Sequence, residues 1–82
     1  MDAQCRKAYV AVNVDIDEEG AVQPRAIRWK DGHSFRIERV IYKCRASSNK
    51  VGGGGIRYAV QINGQEKYLF NEGNKWFVEA KN

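Results

Sequence analysis

The residues able to do chemistry are few and far apart in this chain. His33 is the single histidine, and Cys5 and Cys44 are the only thiols. A nucleophilic thiol needs an adjacent base to take its proton, and only the fold could bring His33 to Cys44. Cys44 shares the apolar alternation of Val40 and Tyr42, the pattern of a buried structural thiol. Two cysteines are too few for a disulfide framework, and their spacing matches no paired zinc ligands, so a Cys5–Cys44 bridge is expected only under oxidising conditions. Asp15, Asp17, Glu18 and Glu19 gather four of the ten acids, but without the spaced ligands and terminal glutamate of a calcium loop they read as a solvated turn. The run Gly52–Gly55 is not followed by Lys-Ser/Thr, and it feeds an alternating strand rather than a helix, which suits a flexible connection better than a phosphate cradle. Catalytic residues, metal and cofactor are therefore not expected, and neither is a small-molecule substrate.

The basic residues carry the remaining chemistry. Fourteen Lys and Arg against ten Asp and Glu give a net charge of +4. Between Arg25 and Arg57 there are nine cations and only two acids, Asp31 and Glu38. Trp29, Phe35, Tyr42 and Tyr58 interleave with them, as a nucleic-acid-binding barrel requires of its phosphate contacts and stacking groups. The polyanion-binding set would be Arg28, Lys30, Arg36, Lys43, Arg45 and Arg57, with Trp29 as the stacking group. A half-buried strand sends aromatics inward and cations to water whether or not a ligand exists. The same residues thus suit an interaction module that binds protein or pairs with itself through a sheet edge, strand one or the Trp76 strand. A third option is a methyl-lysine cage of Trp29, Tyr42 and Tyr58.

The elements that must position these residues are strands. Val10, Val12, Val14 and Ile16 alternate in strand one, and Pro24 confines the second strand to an edge or a late start. A three-residue loop at Lys30-Asp31-Gly32 sets Trp29 opposite His33 and Ile27 opposite Phe35. After a bend near Glu38-Arg39 the apolar set becomes Val40, Tyr42 and Cys44. The same loop rule applied at Gly64 and Gly73 pairs Val60 with Glu66, Tyr58 with Tyr68 and Tyr68 with Trp76. The expected core is Val10, Val12, Val14, Ile27, Ile37, Val40, Ile56, Tyr58, Val60, Tyr68, Phe70 and Val78.

Eighty-two residues allow one modest core. The expectation is a single all-β domain over 1–82, a small antiparallel six-stranded partly open barrel or β-roll, SH3-like first and OB-like second. Residues 1–6 read as a mobile N-terminus and 46–55 as a flexible glycine-rich loop. No apolar run is long enough to span a membrane, and no leader or lipid signal opens the chain, which implies a cytoplasmic protein with reduced thiols.

The segments Asp-Glu-Glu-Gly-Ala-Val-Gln-Pro-Arg-Ala-Ile-Arg-Trp-Lys-Asp-Gly, Ile-Glu-Arg-Val, Gly-Ile-Arg-Tyr-Ala-Val-Gln-Ile-Asn-Gly, Tyr-Leu-Phe and Trp-Phe-Val-Glu resemble a family of small uncharacterised bacterial proteins of clostridial type. The likeness spans Lys7 to Glu79. It implies a bacterial, stand-alone β domain, and because its motifs are turn and core residues it carries over no activity and no site.

Overall fold

The computed structural model describes residues 5–47 and 54–81. Seven strands form one antiparallel sheet: β1 (Cys5–Ile16), β2 (Val22–Arg28), β3 (Ser34–Arg36), β4 (Arg39–Ser47), β5 (Gly54–Ile62), β6 (Gln65–Glu72) and β7 (Lys75–Lys81). Their order is β3-β2-β1-β7-β6-β5-β4, so the first and last strands meet in the middle. The sheet curls into an open half-barrel, the expected all-β, barrel-like class. Seven strands replace six because the long third strand breaks at Ile37-Glu38. There the Ile37 N–H donates to the Arg25 carbonyl and the Glu38 N–H to that of Gln61, turning the chain from one half of the sheet to the other.

Curvature comes from two irregularities and one shared strand. β1 pairs β2 through Ala11–Ile16 and β7 through Cys5–Val10, so its two halves serve different neighbours. The β1–β2 register shifts beside Val14, leaving Arg25 unpaired in β2. A second shift falls between Val40 and Tyr42, with Ile41 the extra residue. Each bulge bends its strand and increases the local twist. Pro24 sits buried in β2, which is not an edge strand, but β3 pairs only Ala26–Arg28; at Pro24 the side away from β1 is open and no ladder bond is lost.

The first hairpin has the expected register. The Trp29 N–H donates to the His33 carbonyl, Gly32 takes the left-handed conformation with φ 92°, and Ile27 faces Phe35. The other two hairpins correct the three-residue rule. Asn63 and Gly64 both have positive φ, 51° and 75°, forming a two-residue turn in which Ile62 opposes Gln65. Gly73 and Asn74 make another two-residue turn, with Glu72 opposite Lys75. Such turns match the twist of the strands they join, and Asn-Gly suits the positive φ values needed at both central positions. Tyr58 consequently faces Leu69 rather than Tyr68, and Val60 faces Lys67 rather than Glu66.

This one-residue slip redraws the core. Ile27, Ile37, Tyr58, Val60, Ile62 and Leu69 form the buried cluster, flanked by Val10, Val12, Val40, Trp76 and Val78. Leu69, absent from the expected core, is fully buried, whereas Tyr68 and Ile56 are exposed. Phe70 is buried as expected, but on the opposite face, where its ring stacks on Phe77 at 4.9 Å. Cross-strand neighbours continue that row: Tyr9, Phe77, Phe70, Arg57 and Cys44 lie side by side over five strands. A polar bridge roofs it on the β1 side. Glu72 accepts hydrogen bonds from the Lys7 ammonium at 2.8 Å and the Tyr9 hydroxyl at 2.9 Å, and the Lys7 Nζ lies 5.0 Å from the centre of the Phe77 ring. Spanning β1 to β6, this bridge keeps Phe77 buried on a face that no second sheet covers among the described residues.

Gly55 belongs to β5 and not to a loop. Its φ is 145°, and a Cβ there would stand 2.1 Å from the Asn71 carbonyl oxygen, so the β5–β6 approach demands glycine. Likewise Cys5 and Arg6 lie in β1 and residues 46–47 in β4, which shortens both segments expected to be mobile. The remainder of those expectations, 1–4 and 48–53, lies outside the described residues.

Candidate functional site

The sheet has two edge strands, and they differ in length and charge. β3 has three residues, whereas β4 has nine and, among the described residues, pairs only with β5. The Trp76 strand, β7, lies between β1 and β6, and β1 lies between β2 and β7, so neither is an outer edge of the sheet. That corrects where a partner strand could add. A groove of about 510 Å³ runs along β4: Val40, Tyr42 and Lys43 form one wall, and Asp15, Asp17, Val22, Gln23 and Arg25 form the other. Both walls present strand edge, because among the described residues no strand pairs with β2 before Arg25 on its β3 side.

The Ile41 bulge decides which side chains face this groove. Val40 points to the core, opposite Val60. After the extra residue Tyr42 pairs with Ala59 and Cys44 with Arg57, on the Phe70 face, while Lys43 and Arg45 pair with Tyr58 and Ile56 on the core face. The expected apolar set of Val40, Tyr42 and Cys44 is thereby split. Lys43 and Arg45 are exposed, and the Lys43 Nζ lies 5.9 Å from the centre of the Tyr58 ring. Neither forms an ion pair among the described residues.

The six cations of the polyanion set do not share a face. Arg28 and Arg36 stand with Ala26 on the Phe70 side of the β2–β3 hairpin, and Lys30 is in its turn. Lys43 and Arg45 lie on the core side of β4 at the other edge of the sheet. Arg57 is partly buried in β5, where its Nη2 donates to the Cys44 sulfur at 3.7 Å and its guanidinium lies 4.9 Å from the centre of the Tyr68 ring. The Arg57 Nε is shielded from water without a hydrogen-bond partner among the described residues, an unfavourable desolvation that the neighbouring ring and thiol only partly offset. Trp29 is half-buried and lines a second groove, of about 520 Å³, with Ile27, Phe35, Ile62 and Val78. Lys75 lies over Tyr9 as Arg57 does over Tyr68, so two of the exposed rings on the Phe70 face already carry a cation.

The remaining chemical candidates have structural partners. His33 pairs through Nδ1 with Asp31 at 2.8 Å in the hairpin turn, and Cys44 is a free thiol beside Arg57. The Asp31 carboxyl is held below its ordinary range, first by the His33 backbone N–H and then by the His33 side chain. Asp17 accepts the N–H groups of Glu19 and Ala21, as expected of a turn. Asp15 is tied to Arg25 at 2.6 Å. Tyr42 and Tyr58 point to opposite faces of the sheet, which removes the aromatic cage. Among the described residues no helix is long and apolar enough to cross a membrane. Comparisons with protein-family models, with curated proteins and with solved structures find no match to this chain.

Proposed function

We propose that this domain is a non-enzymatic interaction module that binds a protein partner by strand addition at β4. The supporting observation is the nine-residue edge from Arg39 to Ser47, paired on one side only among the described residues and bordered by a groove that a further strand could enter. An unpaired edge offers backbone donors and acceptors that an extended peptide satisfies without any chemistry of its own. Self-association ranks second, because β4 carries Arg39, Lys43 and Arg45 and no acid, and a copy would bring like charges together. Nucleic-acid binding ranks lower. Its six cations divide among the β2–β3 hairpin, β4 and β5, and the exposed rings of Tyr9 and Tyr68 already carry cations of the domain itself. A bacterial cytoplasmic setting accords with the clostridial-type resemblance and with a free Cys44.

The test is amide hydrogen exchange with and without a neutral, extended Thr–Val repeat peptide at about 1 mM, the scale of a weak contact. Protection gained along β4, with β7 unchanged, is the expected result. Protection elsewhere, or none, would sink the edge reading.

A further inference from the structure

Resting on that reading, we propose that the segment taken up by β4 is acidic, with two carboxylates spaced two residues apart and set against Lys43 and Arg45. These cations stand on one face of an edge strand, about 7 Å apart by strand geometry, and neither is spent on an ion pair among the described residues. An added strand repeats its side chains with the same period. A Glu-x-Glu segment in register therefore places each carboxylate directly across from one cation, where opposite charges reinforce a cross-strand pair. The middle side chain turns to the other face, beside Cys44, where an apolar residue fits.

The surroundings narrow the choice of occupant. Asp15 of β1 and Asp17 of the turn that follows it line the same groove as Lys43. Asp15 is already paired with Arg25, and Asp17 accepts the backbone N–H groups of its own turn, so neither is matched to Lys43. A second copy of β4 brings three cations and no acid to the same edge. A nucleic acid could meet the cations but has no backbone to complete the strand ladder.

The experiment measures anisotropy of fluorescein-labelled octapeptides that alternate Glu–Val, Thr–Val or Lys–Val, with labelled oligothymidylate as a further probe. The Glu–Val peptide should bind at least about tenfold tighter than Thr–Val. Lys43→Glu/Arg45→Glu should abolish that preference and favour Lys–Val, while Arg28→Glu/Arg36→Glu should leave it intact. Circular dichroism melts establish that each variant folds, and Lys43→Gln/Arg45→Gln replaces the reversal if it does not. Equal binding of Glu–Val and Thr–Val, with β4 amides protected by both, overturns the acidic preference and leaves the edge reading standing. Binding of neither peptide overturns both. A preference that survives the Lys43 and Arg45 changes, or oligothymidylate binding that depends on them and excludes peptide, also overturns the proposal.

Discussion

The two edges of this sheet are protected by different means. β3 is guarded by brevity: its three residues, Ser34–Arg36, between the Gly32 turn and the Ile37 corner are too few to template a partner strand. β4 is long, and its protection consists of three cations and the Ile41 bulge. Brevity excludes every partner alike, whereas charge excludes only partners of the same sign. An edge defended by charge repels its own copies and still admits an acidic strand, so the defence doubles as a filter.

That contrast can be broken from behind β4. β5 and β6 support this edge, and Leu69, fully buried across from Tyr58, anchors them. Leu69→Ala should cost about 4 kcal/mol in urea unfolding, and Tyr68→Ala about 1 kcal/mol or less, the reverse of what the expected core implies. A smaller loss separates two glycines. Gly55→Ala drives a Cβ into the Asn71 carbonyl and should cost about 3 kcal/mol. Gly32→Ala, beside β3, meets open space and should cost about 1 kcal/mol for its positive φ alone.

The filter itself is sharpened by removing its charge. Lys43→Val/Arg45→Val leaves β4 long and apolar, and sedimentation should then show concentration-dependent association; Arg36→Val on β3 should leave the protein as it was. The smallest effect concerns the opposite face. The hydrogen bond from Lys7, followed by that from Tyr9, holds the Glu72 carboxyl below the usual carboxylate range, and the same bond to Glu72 holds Lys7 above the usual lysine value. Stabilisation from Glu72 is fully present above the unfolded carboxylate value of about 4.3 and is lost as pH falls through the lower folded value. That from Lys7 is fully present below about 10.4 and is lost as pH rises through the raised one. Thermal melts of Glu72→Gln should therefore differ most from the parent protein between these limits and converge with it in acid.

Local chemistry made much of the fold legible. Alternation marked the strands, the Asp31-Gly32 loop set the first hairpin, and the parity change after Ile37 announced the corner. The second and third hairpins are ambiguous locally because Asn63-Gly64 and the run Asn71-Glu72-Gly73-Asn74 can each close either a two- or a three-residue loop. Tyr68, Leu69 and Phe70 are consecutive apolar residues, so either register buries something. The edge site was only partly visible. Lys43 and Arg45 stand out as cations, but alternation points equally to β1 or β7 as the open edge, because strand order across the sheet leaves no trace in local alternation.

By itself the chain determined an all-β domain of tight turns and an excess of cations on the strands around its middle, since strand periodicity, turn propensity and formal charge are local properties. Tertiary structure alone decided that β1 and β7 meet in the interior, that β4 stays open, and that the Ile41 bulge turns Lys43 and Arg45 to one face and Tyr42 and Cys44 to the other. Those outcomes depend on which register buries the most apolar surface across all seven strands at once, a cooperative choice that no single segment encodes.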